Sequence, residues 1–578
     1  MAISSVTAFK RTFCLLEAAS AGGSNNRTTA METRSAKRRK LLFLECSAMM
    51  TTTLTVQPGG RGEGEEGGAD LISNLPDDVL FRILDLLSIE TIARMSLLSK
   101  RWARIWQSFP DLDFTSVRLK SADHAESIRN LIRSKCRRFS FDRQRVQNFL
   151  YLYDCDFISN VLSLRSKAGS DIRTLRFGAY VSLTHLNKLI RQALRWNARE
   201  LDVEFATEDY FNVPKCVISS ESLQALSLKS QFPGFRLPYL SIMNGGGFRS
   251  LQVLSLSLML TEGDLDIFKD SAFPVLRKLY LCECHDLRRI RVNCSLLEDM
   301  TLEKCFILET LEVRGARLER LRVANCFYSV REKSFVKIDA PRLRVVEWEK
   351  NYLTEDCSLQ NLKALRQASL HFLKLHEVVP AIYLSAARNF LHGLSHVRCL
   401  ILDTLCMKLL TQKNFGPLLP FINLECLELR TFLTHSIIPA LHFLLKSSPS
   451  LHTLILNITD HCGHSRNERK MQDKDLLNTT YSEEEKHWET EMSVMALFLE
   501  NLKVVKIRGF MGCKAEVGLA KFLLRHGKAL EEMVLCSFNR DALHKDRNKS
   551  QILSYSGSAS NAKISFEYDF DAVPKIRI

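Results

Sequence analysis

Two clusters of cysteine and histidine are the first residues in this sequence that could do chemistry. Cys282-x-Cys284-His285 places three possible ligands within four residues, and His461, Cys462 and His464 place three more. Thiolate and imidazole are the donor set of structural zinc, but a closed site needs four ligands, usually as two spaced pairs. Neither cluster has a second pair at finger spacing, so no metal is expected. Gly245-Gly246-Gly247 is not a phosphate cradle, because no Gly-Lys-Ser/Thr follows it. There is no nucleophile elbow, no His-Glu-x-x-His and no kinase signature. The reading is a chain with no catalytic residues and no cofactor.

Composition narrows the classes further. Of 578 residues, 46% are apolar and 25% charged, ordinary for a globular protein. No apolar run reaches the roughly 18 residues that a membrane span needs, so no membrane is expected as a partner. The formal net charge is +15, but residues 1–40 alone carry eight Lys or Arg against Glu17 and Glu32. The high charge therefore implies no basic groove on the fold. Basic and aromatic residues are not interleaved as in single-strand binders, so direct nucleic-acid binding is not expected. Seventeen thinly spread cysteines with no secretory signal fit a reducing compartment. Lys37, Arg38, Arg39 and Lys40 form a compact basic cluster, a candidate nuclear import signal. The expected location is nucleus and/or cytoplasm.

The elements that organise the chain begin at Leu75. Pro76 suits a first helical position, and Asp77 and Asp78 complement the dipole of a first turn. Leu80, Ile83, Leu84 and Leu87 recur at i, i+3, i+4 and i+7, one apolar stripe. Ser88 suits the cap of a second helix, with Glu90 in its first turn. Ile92, Met95, Leu98, Trp102 and Trp106 fall on or beside one face of that helix. Two short helices bury too little on their own, so their second apolar surface needs a partner.

Leu75-Pro76, Leu80, Ile83-Leu84, Leu87, Leu98-Ser99-Lys100-Arg101-Trp102 and Trp106 resemble an F-box. The resemblance implies docking on the Skp-type adaptor of cullin–RING ubiquitin ligases. The residues that would carry it are Leu75, Pro76, Leu80, Ile83, Leu84 and Leu87, with Leu98 and Trp102 in support. Burying four such aliphatic side chains yields on the order of 6–12 kcal/mol before association costs are subtracted.

After the helices comes a repeat of the form apolar-x-x-apolar-x-apolar, the strand signature of a leucine-rich repeat. It starts at Ile172, Ala198, Leu223, Leu251, Leu276, Leu297, Leu318, Leu343, Leu365, Val397, Leu424, Leu451, Leu502 and Leu530. A template this loose predicts that a few of the matches arise by chance. Cys284, Cys305 and Cys326 each lie eight residues after their repeat's first apolar position, where the consensus turns a small Asn or Cys inward. They are therefore read as buried structural thiols. Half-period echoes at Leu287-x-x-Ile290-x-Val292 and Leu308-x-x-Leu311-x-Val313 leave no room for a helix, so extended chain is expected on both faces from about 276 to 330. Residues 183–196, and the longer repeat holding Val378 to Phe390, have room for helices. Ala125 to Leu164 also reads as mostly helical, with Ile158, Val161 and Leu162 among its buried side.

Leu502, Val505, Ile507, Phe510, Gly512, Glu516, Phe522-Leu523 and Leu530-Glu531 resemble the FBD module of plant F-box/leucine-rich-repeat proteins. It is read as strand, Gly-Phe-Met-Gly turn, helix from Glu516 to Arg525, and strand. The expected class is an α/β repeat: a small all-α F-box helical hairpin, then a leucine-rich-repeat solenoid (horseshoe) closed by an FBD cap. The expected divisions are a disordered basic, Gly-rich tail at 1–69, the F-box at 70–115 and the solenoid at 116–499 with a polar insertion at about 459–492. The FBD module follows at 500–540 and a tail at 541–578. The resemblance implies the substrate-recognition subunit of an SCF-type (Skp–cullin–F-box) E3 ubiquitin ligase. Its partners would be the Skp-type adaptor, through it cullin, and an unknown protein substrate. Two alternatives stay open on the sequence: a repeat scaffold acting outside any ligase, and a small-molecule-dependent F-box receptor.

Overall fold

A computed structural model describes residues 75–115, 155–165, 170–238, 247–328, 334–373, 379–412, 414–431, 437–458, 498–512, 514–537, 552–553 and 562–568. The basic cluster at Lys37–Lys40, the tail before Leu75, the 125–154 helical stretch, the insertion after Ile458 and the His461–His464 cluster lie outside the described residues. The chain divides into two compact units between Trp106 and Gln107.

Among its described residues the N-terminal unit contains three helices rather than a hairpin of two: α1 (Asp77–Leu84), α2 (Ile89–Met95) and α3 (Lys100–Ser108). The second predicted helix is broken by its own serines. Ser96 donates its hydroxyl to the Ala93 carbonyl at 2.6 Å, and the Ser99 hydroxyl accepts the Trp102 N–H at 3.2 Å. Side chains that bond the backbone locally compete with continued helix. Ser88 caps α2 by accepting the Thr91 N–H at 3.4 Å. Pro76 stands one position outside α1, as its cap, with extended backbone (ψ 148°).

The second unit is built on one parallel sheet, with sixteen strands among the described residues. In order along the sheet they are Asp111–Asp113, Thr174–Tyr180, Glu200–Ala206, Ala225–Phe232, Val253–Ser257, Lys278–Cys282, Asp299–Glu303, Arg320–Ala324, Val345–Asn351, Gln367–Phe372, Cys399–Asp403, Cys426–Thr431, Thr453–Ile458, Val504–Arg508, Glu532–Ser537 and Lys563–Tyr568. All fourteen sequence repeats form strands of this sheet, so the expected chance matches did not occur. The register places apolar positions in columns: Leu279, Met300, Leu321 and Val346 are successive partners. Each is 2% exposed or less.

Extended chain does form a second layer. Strands Leu260–Lys269, His285–Asn293, Thr310–Arg314, Phe335–Asp339 and Asp356–Gln360 make a parallel sheet of their own. Two of these are the predicted echoes, and three went unread. Elsewhere the return segments hold helices: α4 (Cys155–Arg165), α5 (Leu183–Arg195), α6 (Lys215–Ile218), α7 (Ala381–Gly393), α8 (Thr404–Leu410), α9 (Ile437–Lys446) and α10 (Lys514–His526). In α5, Leu186, Leu189, Ile190 and Ala193 are buried at helical spacing, and Ser182 caps its first turn.

The turn out of each central strand explains the inward cysteines. Glu283, Lys304, Asn325 and Lys350 all take left-handed backbone, with φ between 52° and 55°. This conformation costs a non-glycine residue roughly 1–2 kcal/mol. It swings the next side chain inward, and those side chains are Cys284, Cys305, Cys326 and Asn351. The three cysteines are 3% exposed or less, as expected of structural thiols. Asn351 is fully buried and saturates the turn. Its amide oxygen accepts the N–H groups of Cys326 (2.8 Å) and Phe327 (3.2 Å), and its amide nitrogen donates to the Val323 carbonyl (2.9 Å).

One correction concerns the C-terminal end. The segment read as a tail after the FBD module contains Lys563–Tyr568, which pairs residue by residue with Glu532–Ser537. The sheet therefore runs one strand past the module. Within the module, the Glu516 carboxylate is buried and accepts the N–H groups of Met511 (2.8 Å) and Gly512 (2.7 Å). It closes the turn where Gly509 and Gly512 take φ of 76° and 74°.

Asn351→Ala leaves two buried N–H groups and one carbonyl without these bonds. Each buried orphan costs about 1–3 kcal/mol, so the variant is expected to lose about 3 kcal/mol of stability. Thermal unfolding measures this, and melting together with wild type would show that the turn does not need the amide.

Candidate functional site

In the N-terminal unit, α1 carries two adjacent apolar stripes. Leu80 and Leu84 are each 1% exposed and pack inward with the buried Ile89, Ile92, Met95, Ile105 and Trp106. Val79, Ile83 and Leu86 fall at i, i+4 and i+7 on the neighbouring stripe. Val79 is 41% exposed and Leu86 70%, and beyond α2 Leu97 is 58% and Leu98 46% exposed. Arg101 ties the two ends of the unit together. Its guanidinium donates to the Leu75 carbonyl and, at 3.0 Å, to the Asp77 carboxylate.

The residues predicted to dock a partner therefore divide. Pro76 and Leu98 are exposed, and Leu75, Ile83, Leu87 and Trp102 are half-buried. Leu80 and Leu84 are a correction: they are core, and their burial holds the helices together. Val79 and Leu86 were missed, although with Ile83 they fall at i, i+4 and i+7 in α1 and its following turn, and Leu97, beyond α2, was passed over for its neighbour Leu98.

The second candidate surface is the outward face of the long sheet. In most strands alternate residues are buried, as in Val253–Ser257, Asp299–Glu303 and Cys426–Thr431, and the others form rows across the face. Fifteen steps of about 4.8 Å give a face about 70 Å long. One end is charged and paired: Arg176 lies 3.6 Å from Glu200 and 3.9 Å from Asp113 and Asp202, and Lys229 lies 3.1 Å from Glu204. In the middle, Arg322 bridges Glu347 (2.6 Å) and Glu349 (2.9 Å) on the next strand. Farther on, His371 lies 3.5 Å from Asp403, whose burial pushes its carboxyl above the ordinary carboxylate range. Along one edge, Phe306 (45% exposed), Tyr328 (48%) and Tyr352 form an aromatic ladder, with edge-to-face contacts of 5.7 and 5.5 Å. No sequence motif marked them. Their only signal is recurrence just after the inward Cys or Asn of consecutive repeats.

Among the described residues no three His, Cys, Asp or Glu side chains gather as a metal site, and no helix is long and apolar enough to cross a membrane.

Comparison with known proteins follows the same division. Residues 72–113 match the F-box domain family and residues 489–535 the FBD family. Residues 186–355 match the family described as "FBD-associated F-box protein At5g56370, LRR repeats". The F-box/FBD/LRR-repeat protein At4g03220 of Arabidopsis thaliana is 39% identical over 511 residues, 86% of this chain and 95% of the relative. The chain belongs to the F-box/FBD/LRR-repeat family. Two further Arabidopsis thaliana proteins of this kind align more distantly. The FBD-associated F-box protein At5g56370 is 25% identical over 80% of this chain and 89% of its own length. The F-box/LRR-repeat protein At3g58930 is 24% identical over 80% and 89%. In F-box/FBD/LRR-repeat proteins the F-box is in general the part that binds a Skp-type adaptor, and the proteins are in general non-catalytic. Here the F-box is α1 to α3, and the exposed leucines are its available surface.

Burial separates two classes of F-box variant. Leu80→Asp with Leu84→Asp buries two unpaired charges and is expected to unfold the N-terminal helices. Leu97→Asp with Leu98→Asp leaves them folded. Proteolysis between the units reads the difference: cleavage at least ten-fold faster for the first pair only. Equal rates would mean that Leu80 and Leu84 are not core.

Proposed function

We propose that this chain is the substrate-recognition subunit of an SCF-type (Skp–cullin–F-box) E3 ubiquitin ligase. The observation that carries the reading is a folded F-box that buries Leu80, Leu84, Ile92 and Met95 yet leaves Val79, Leu86, Leu97 and Leu98 uncovered. These four, with Pro76, Ile83, Leu87 and Trp102, dock on the Skp-type adaptor and through it reach cullin. Full burial of each leucine is worth about 1.5–3 kcal/mol before association costs. The outward rows of the repeats and the Phe306–Tyr328–Tyr352 ladder hold the protein substrate.

In this reading the chain performs no bond chemistry. It raises the effective concentration of substrate beside the conjugating enzyme. The repeat region closes as a horseshoe, with the FBD strands and Lys563–Tyr568 together shielding the end of its core, since a solenoid's last repeat must cover an open face. The divisions at 1–69, 70–115, 116–499, 500–540 and 541–578 serve these roles in turn. The protein works in the nucleus and/or cytoplasm, and Lys37–Lys40 is its import signal.

Affinity purification of the full chain beside Leu97→Asp/Leu98→Asp tests the reading. Adaptor and cullin are expected with wild type and at least 100-fold less with the variant, a loss of about 2.7 kcal/mol. Absence of adaptor from wild type would overturn the proposal. A fluorescent fusion tests location separately: replacing Lys37, Arg38, Arg39 and Lys40 by alanine is expected to lower the nuclear share several-fold, and an unchanged share would remove the cluster from the account.

A further inference from the structure

Most described cysteines are sealed in the repeat core. Cys282, Cys284, Cys294, Cys305, Cys326, Cys357, Cys406 and Cys536 are buried. Cys284, Cys305 and Cys326 stack in one column, but at 3% exposure or less they are closed to solutes. Cys399 and Cys426 differ. Both are free thiols, both are half-buried, and both stand at outward positions of the long sheet. They are direct register partners on neighbouring parallel strands. Neighbouring strands lie about 4.8 Å apart. That falls inside the roughly 4.4–6.8 Å separation of α-carbons that a disulfide spans, so a bond needs no sliding of one repeat past the other.

We propose that Cys399 and Cys426 form a hydroperoxide-reactive dithiol that closes to a disulfide across two adjacent repeats. The surroundings assign the roles. The neighbouring Cys426 thiol lowers the Cys399 thiol from its ordinary value against the opposing pull of burial and Glu428, whereas Cys399, burial and Glu428 all raise Cys426. The thiolate is the nucleophile in thiol chemistry, so Cys399 attacks and Cys426 resolves. The Cys399 thiolate takes the distal oxygen of the hydroperoxide, the O–O bond breaks, and the alkoxide leaves and picks up a proton. Cys399 is now a sulfenic acid. The Cys426 sulfur attacks it, the S–O bond breaks, and water leaves with the Cys426 proton. Two thiols and one hydroperoxide give one disulfide, one alcohol and one water.

The pair sits among the outward rows between Gln367 and Thr453, its register neighbours on either side. Closure replaces two hydrogen-bonding thiols by a fixed bridge at this point of the face. An accessible disulfide is also readily reduced, so the change is reversible. The assignment does not depend on what the face binds.

The test uses the full reduced chain and hydrogen peroxide. After exposure, remaining thiols are blocked with N-ethylmaleimide and tryptic peptides are read by mass spectrometry. A peptide linking Cys399 to Cys426 is expected, lost on treatment with dithiothreitol. Fragment ions must separate Cys399 from Cys406, which shares its tryptic peptide. Cys426→Ser is expected to stall at the sulfenic acid, trapped by dimedone on Cys399 at least five-fold above the half-buried Cys216. Recovery of both cysteines as separate maleimide adducts, or of either linked to a different cysteine, would overturn the proposal. The wild-type linkage decides the matter even if the serine variant fails to fold.

Discussion

One recurring hydrogen bond between repeats holds the central part of the long sheet together. The N–H of the left-handed residue after a strand donates to a carbonyl at or near the end of the next strand: Glu283 to Glu303 at 2.8 Å, Lys304 to Ala324 at 2.8 Å, Asn325 to Glu349 at 2.9 Å. Parallel strands cannot be joined by a tight hairpin, so every pairing is made between segments twenty or more residues apart. Each of these three turns adopts an unfavourable backbone angle that its neighbour's acceptor helps to hold. No repeat here is a stable object alone, and stability is a nearest-neighbour property.

That dependence explains what could be read from the residues. Apolar-x-x-apolar-x-apolar is a statement about one strand's buried side, and burial is strictly periodic, so even Leu365-x-x-Ala368-x-Leu370 marked a true strand. The second sheet was harder. His285–Asn293 and Thr310–Arg314 keep the apolar spacing, whereas Leu260–Lys269 carries Glu262, Asp264 and Asp266 and pairs with irregular register. Lys563–Tyr568 was passed over because a serine-rich stretch precedes it, although Lys-Ile-Ser-Phe-Glu-Tyr alternates plainly. In the first unit, periodicity named the apolar residues but not which of two neighbouring stripes faced inward. A helix with apolar residues at 79, 80, 83 and 84 leaves that choice to tertiary packing.

The two units solve opposite problems. The repeats cover their leucines with one another and leave polar rows outside. The three N-terminal helices are too short to cover theirs, and several large side chains stay uncovered while Arg101 fixes the entry to α1 against α3. An apolar surface on so small a unit is the mark of something made to be completed by another molecule.

Alternation along the strands has an evolutionary side. Leu279, Met300 and Leu321 face inward, while Tyr280, Thr301 and Arg322, one residue on, face out. A substitution at an outward position removes no core contact and disturbs no register, so the outward face can drift while the scaffold stays the same. Copies of such a gene can diverge in the surface they present long before they diverge in how they fold.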